Sequence, residues 1–230
     1  MRLDLAVLGV AATVFSMVGP TGMVASASAQ ECPDVEVLFA RGTNEAPGVG
    51  PTGQAFVDAL RTRIGDQSLA VYPVNYPATD QWATGVEGIR DAGARVLTVA
   101  ETCPDTKMVL GGYSQGAAVM GFVTSEAVPD GVDPATVPKP LQPDIAEHVA
   151  AVTLFGMPNV RAMNFLGEPP VVIGPQYQAK TVQLCAVEDP VCSDGLNFAV
   201  HNPATYNGAL TDQGATYAAE RLGTEPRPGG

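Results

Sequence analysis

The chain has 230 residues, a formal charge of -12, 46% hydrophobic and 16% charged residues. That length suits one sizeable α/β domain and is short for two, and the hydrophobic content excludes a disordered chain. The acidic balance argues against nucleic acid and anionic membrane surfaces as main partners, and says little about a neutral substrate.

The first 29 residues read as a secretory signal peptide. Arg2 supplies a weak positive start, partly offset by Asp4; Leu5 to Val18 is apolar; Ala27-Ser28-Ala29 fits a small-residue cleavage site. The mature domain then runs from about Gln30 to Leu222, and the Pro/Gly-rich stretch from Gly223 to Gly230 is a loose tail. The apolar start is too short for a typical membrane span and no later run is long enough, so the mature chain is expected to carry no integral membrane segment. The expected location is extracellular.

Five short apolar runs read as buried strands: Val35–Phe39, Leu69–Val74, Met108–Leu110, Val149–Phe155 and Thr181–Leu184. Helical patterns alternate with them at Thr52–Ile64, Asp80–Ala100, Gln115–Glu126, a short stretch Pro143–His148, and Pro203–Leu222 with a break near Gly208. In the second helix Val86, Ile89, Val96 and Val99 share one face. Strands alternating with helices imply a parallel sheet covered on both faces, an α/β/α sandwich. Two proline-bearing connections, Val128–Pro143 and Met157–Ala179, are long enough to be binding elements.

The four cysteines, Cys32, Cys103, Cys185 and Cys192, all follow the expected cleavage site. An even number in an exported chain points to two disulfides, and the lack of a C-x-x-C pair argues against zinc. Cys185 and Cys192 bracket a short loop after the last strand. Cys32 and Cys103 precede the first and third strands, and would sit at one sheet edge if those strands are neighbours.

Chemistry concentrates at Gly112-Tyr113-Ser114-Gln115-Gly116, placed between an apolar run and a helix-forming one. A serine between two glycines on a sharp strand-to-helix turn is the nucleophile elbow of serine hydrolases. The turn lifts the hydroxyl clear of the sheet, beside the partial positive charge of a helix N-terminus. Such a serine needs a base, an acid and an oxyanion hole. The chain has two histidines. His148 lies where a helix hands over to a strand, on the side of the sheet away from the usual site. His201 follows the last strand and comes after Ser114 in the hydrolase order, so it is the expected base. Glu188, Asp189 and Asp194 are the candidate acids. One oxyanion donor is the N–H of Gln115; the other is expected from the Ala40-Arg41-Gly42-Thr43-Asn44-Glu45 loop after the first strand.

Together these segments resemble the cutinase family of small secreted serine esterases, from about Cys32 to Tyr217. The likeness rests on Phe39-Ala40-Arg41-Gly42-Thr43-Asn44-Glu45, on the elbow, on Leu154-Phe155-Gly156, and most of all on Cys185, Asp189 and Cys192 in a C-x3-D-x-V-C arrangement followed by His201. The resemblance implies Ser114 as nucleophile, His201 as base and Asp189 as acid. It implies an oxyanion hole from the N–H groups of Thr43 and Gln115, with the Thr43 hydroxyl assisting. It also implies disulfides Cys32–Cys103 and Cys185–Cys192, and a lidless α/β-hydrolase fold on a five-stranded parallel sheet. Two departures stand out: threonine replaces the family's frequent serine at Thr43, and the tyrosine expected three residues after the histidine is displaced to Tyr206.

The expected function is a secreted carboxylic ester hydrolase that forms an acyl-enzyme on short to medium acyl esters, lipid or polyester substrates included. No metal or organic cofactor is implied, and nothing demands more than a monomer. Val171, Val172, Ile173, Leu196 and Phe198 are the expected wall for the acyl chain. The rival readings are a polysaccharide deacetylase of the acetylxylan type and a non-catalytic secreted protein on the same scaffold.

Overall fold

The structure is a computed structural model that describes residues 32–223; the expected signal peptide and the tail beyond Gly223 lie outside the described residues. Its strands are β1 (Val35–Ala40), β2 (Leu69–Pro73), β3 (Lys107–Tyr113), β4 (Val149–Phe155) and β5 (Thr181–Leu184). They pair in parallel in the order β2-β1-β3-β4-β5. All five fall where the apolar runs predict. β3 extends furthest beyond its run, because Gly111 and Gly112 continue the ladder opposite Phe39 and Ala40. Glycine is a poor strand residue, so only the neighbouring strand reveals that extension.

The connections are α-helical. α1 (Gly50–Arg61) starts with Pro51 in its first turn, where a missing N–H costs nothing. α2 (Gly85–Thr102) follows a single 3-10 turn, Trp82–Thr84, so it begins later than the sequence pattern suggests. α3 (Gln115–Val123) ends short of Glu126, where the Thr124 hydroxyl donates to Gly121 and the Ser125 hydroxyl donates to Val172. Pro143–His148 is a 3-10 helix. The connection after β4, expected as a loop, carries two short helices, α4 (Val160–Leu166) and α5 (Pro175–Gln178). α4 is capped by the Asn159 side chain and stopped by Gly167 in the left-handed conformation. α6 (Pro203–Tyr206) and α7 (Ala209–Arg221) are separated at Gly208, as the sequence suggests.

Alternation along the strands sorts side chains into two cores. On one face Leu38, Leu110 and Leu154 pack with Val96 of α2 and Met120 of α3. On the other, Phe39, Val109 and Phe155 pack with Phe56 and Leu60 of α1 and Ala215 of α7. Phe39, Phe56 and Phe155 form an aromatic cluster with centroids 5.6 to 6.2 Å apart. The result is the three-layer arrangement read from the sequence. β1 has β2 on one side and β3 on the other, so the strand order switches there. The crevice beyond the strand C-termini at such a switch is the natural place for a site.

The Cys32–Cys103 disulfide joins the segments that lead into β1 and β3, with a Cα–Cα distance of 5.5 Å. It lies at the opposite end of the sheet from that crevice.

Candidate active site

Ser114 links β3 to α3 with φ 54° and ψ -119°, a strained backbone for a residue with a side chain. Two close approaches make this turn possible. A Cβ on Gly116 would lie 2.0 Å from the Ala40 carbonyl oxygen, and one on Gly112 would lie 2.3 Å from the Gly116 oxygen. Only glycines let the turn fold this tightly against β1. The Ser114 N–H donates to the Phe155 carbonyl at 2.9 Å, which fixes the turn against β4.

His201, on the loop after a 3-10 turn at Phe198–Val200, brings Nε2 to 2.8 Å from the Ser114 hydroxyl. Its Nδ1 lies 2.6 Å from Oδ2 of Asp189. A carboxylate can only accept, so Nδ1 carries the proton and Nε2 is left to accept from the serine. The imidazole stacks on Tyr113 at 5.5 Å and 21°, and Tyr206 meets it edge-on. Gly156, at φ 58°, leaves the space both rings need: a Cβ there would lie 2.8 Å from the Tyr206 hydroxyl and 3.1 Å from the His201 ring.

Burial separates the three candidate acids. Glu188 is exposed, and Asp194 is exposed and faces Arg161 at 3.9 Å, whereas Asp189 is fully buried. The Asp189 carboxylate accepts from the Val191 N–H at 2.9 Å, from His201, and from the Tyr206 hydroxyl at 2.5 Å. Tyr206 is itself buried in the second core, and burial followed by its bond to Asp189 pushes the phenol far above its ordinary pKa. It therefore stays a donor. The tyrosine displaced from the family spacing thus still reaches the site, carried there by the turn of α6. In the sequence Tyr206 stands out only as a departure from the family spacing; the capping signal Asn202-Pro203, which starts α6, is the feature that carries it back to the site.

The Cys185–Cys192 disulfide closes the loop that carries Asp189, and Arg161 on α4 donates to the Pro190 and Ser193 carbonyls of that loop. His148 stands at the far end of the sheet, its Nδ1 3.1 Å from the Pro104 carbonyl, as its place in the sequence suggests.

The loop after β1 forms the opposite wall. The Gly42 N–H donates to Glu45 Oε2 at 2.7 Å and the Asn44 N–H to the Ala78 carbonyl, which leaves Thr43 between two anchored residues. Arg41 is buried and holds the loop by donating to the Glu45 and Tyr76 carbonyls. Burial raises the Glu45 carboxyl above its ordinary range, partly offset by the Gly42 N–H and by Arg41.

Thr43, Ser114 and His201 open onto one cavity of about 700 Å³. Its walls are largely apolar, with Phe165 and Leu166 of α4, Val191, Leu196 and Phe198 among them. Leu196 and Phe198 line it, as the sequence suggests. The other three expected wall residues do not: Val171 and Ile173 pack into the core against α3, and Val172 is exposed to solvent outside the cavity. The helix α4, hidden in a connection read as loop, takes their place.

The sequence profile of the cutinase family matches residues 31–222. The chain belongs to the cutinase family. A curated relative, probable carboxylesterase Culp5 of Mycobacterium tuberculosis, is 56% identical over 168 residues, which is 73% of this chain and 95% of the relative. Carboxylesterase Culp1 of the same organism is 43% identical over 93% of each chain. A Trichoderma reesei cutinase in complex with a phosphonate inhibitor superposes with a TM-score of 0.63 and 30% identity, covering 83% of this chain and 77% of that one. An acetyl xylan esterase superposes at 0.67 with 25% identity, covering 84% of this chain and all of that one. With this family membership and these relatives, the chain is a carboxylic ester hydrolase on the α/β-hydrolase fold. Among the described residues no helix is long and apolar enough to cross a membrane.

Proposed function

We propose that Ser114 attacks the carbonyl carbon of an acyl ester while His201 Nε2 takes the hydroxyl proton. Asp189 holds the imidazole in the required tautomer and stabilises the imidazolium. The N–H groups of Thr43 and Gln115 receive the developing oxyanion, with the Thr43 hydroxyl beside them. The imidazolium then gives its proton to the departing alkoxide, and the acyl group stays on Ser114. Water, deprotonated by His201, attacks the acyl-enzyme and releases the acid and the free serine. The observation that carries this reading is the continuous hydrogen-bonded chain from Ser114 through His201 to buried Asp189 at an apolar cavity.

The substrates are short to medium acyl esters, presented by lipid or polyester surfaces. Phe165, Leu196 and Phe198 are 91%, 80% and 74% exposed beside the cavity, an apolar rim that suits contact with such a surface. The enzyme acts outside the cell after cleavage of residues 1–29, and N-terminal sequencing of the exported protein is expected to begin at Gln30. Both disulfides fit that oxidising setting.

The test is hydrolysis of p-nitrophenyl esters from acetyl to palmitoyl, with Ser114→Ala as control. A maximum between butyrate and octanoate that vanishes in the variant is expected. Activity confined to acetate would favour the polysaccharide deacetylase that the acetyl xylan esterase likeness suggests. No Ser114-dependent activity on any ester would overturn the reading.

A further inference from the structure

A second cavity, of about 400 Å³, adjoins the first. It lies between α2 and α3, partly open to solvent, and is bordered by the long connection that precedes Pro143. Val86 and Ile89 of α2, Val119 and Phe122 of α3, and Val132 and Val137 of the connection give it an apolar lining. Its volume falls within the usual range for ligand sites. Among the described residues its ionisable lining consists of Lys139 and Glu168, of opposite charge.

The two cavities share a wall. Trp82 lines both. Ser114 faces the first while the next residue, Gln115, faces the second; Ala162 faces the first while Met163 faces the second. Gln115 is almost fully buried, donates to the Thr79 carbonyl, and has an Oε1 without a protein partner among the described residues. The partition is therefore one side chain thick, and it stands next to the nucleophile. Trp82 sits on a single 3-10 turn and is half-buried, and Met163 is flexible.

We propose that the second cavity receives the second aliphatic chain of a two-chain ester, reached past Trp82, while the chain next to the scissile bond occupies the first. This rests on the esterase reading above and narrows it to lipid-like esters with two chains. The wall shared with the reaction cavity, Trp82 with Ser114 and Gln115 on its two sides, favours a chain of the same substrate molecule. The balanced charges of Lys139 and Glu168 offer no preference for a free carboxylate.

Gly93 of α2 lines the second cavity, and a Cβ there meets nothing within 4 Å. A side chain can therefore start from Gly93 without displacing a neighbour, Gly93→Leu is expected to project into the cavity, and leucine suits a helix better than glycine. With 1,2-dioctanoylglycerol as substrate, kcat/KM of Gly93→Leu is expected to fall about tenfold or more, while p-nitrophenyl butyrate turnover stays within about twofold. A second readout does not need turnover. Trp82 is the only tryptophan of the chain. In Ser114→Ala, its emission follows binding of 1,2-dioctanoylglycerol, and adding Gly93→Leu is expected to weaken that binding by a similar factor.

Equal losses on both esters, or no loss on either, would overturn the proposal. So would octanoic acid giving a saturable Trp82 signal that Gly93→Leu removes while dioctanoylglycerol turnover is unchanged, since the occupant is then a free fatty acid. If wild type hydrolyses neither ester but the binding difference persists, the esterase reading fails and the cavity assignment stands.

Discussion

At the N-terminal end of the sheet the strands start from relaxed, satisfied contacts. The Thr106 hydroxyl donates to Pro33, the Ser68 hydroxyl to Asp34, Lys180 to the Ala146 and Val149 carbonyls, and a disulfide ties Cys32 to Cys103. At the C-terminal end the chain is under load. Among the described residues all four non-glycine positions with positive φ lie just beyond strand ends: Asn44 after β1, Ala78 after β2, Ser114 after β3 and Glu188 after β5. Gly156, after β4, makes the fifth. One end of the sheet supplies stability and the other spends conformational strain on placing side chains. The histidines divide in the same way, since His148 holds a carbonyl at the quiet end while His201 bridges a serine and a buried acid at the strained one.

Substitutions at the two ends should separate activity from stability. The largest effect is expected for Asp189→Asn, which is isosteric but cannot hold the same tautomer; ester turnover should fall by about 10³- to 10⁴-fold with the fold retained by circular dichroism. Tyr206→Phe keeps the buried ring and removes one donor to Asp189. A hydrogen bond to a charged group is worth enough to lower kcat by about tenfold to hundredfold, and unchanged kinetics would remove Tyr206 from the site.

The disulfides offer a cleaner division. The chain-entropy account gives up to about 4.4 kcal/mol for the Cys32–Cys103 ring and about 2.5 kcal/mol for Cys185–Cys192. Replacing both cysteines of the first pair by serine should therefore cost more in urea denaturation, yet leave the turnover of the folded fraction intact. Replacing the second pair should cost less stability and more activity, because that loop carries Asp189. The reverse pattern would break the distinction between the two ends.

Glu45 gives a pH test. Its folded-state pKa is raised, chiefly by burial, so the stability it contributes is full below the ordinary glutamate value of 4.5 and is lost as pH rises through the folded value. As pH rises from 4.5 through the folded value, the Glu45→Gln variant should show a flatter stability curve than wild type, and parallel curves would show that Glu45 does not titrate there. The smallest effect is expected at the quiet end. His148→Gln should change stability by no more than about 1 kcal/mol and leave turnover unaltered.

Much of this molecule is legible as local pattern. Apolar runs such as Val149–Phe155 mark strands because both faces of a parallel sheet are buried, and Gly112 and Gly116 mark the elbow because no side chain fits there. Ser114, His201 and the loop between Cys185 and Cys192 can be read from residue type and chain order alone. What the sequence could not decide depends on distance through space. Three carboxylates lie on or near one loop; residue type and chain order leave them open, the family spacing points to Asp189, and the physical distinction from Glu188 and Asp194 is its burial under Tyr206 and His201. α4 was hidden in a proline-bearing connection because a seven-residue helix shows barely two turns of periodicity, and its apolar residues face a cavity instead of the core. Val171 and Ile173 look the same in sequence as Leu196 and Phe198, yet one pair is core and the other lines the site. Hydrophobicity fixes that a residue seeks cover, and only the packed fold determines whether a neighbouring helix or a substrate provides it.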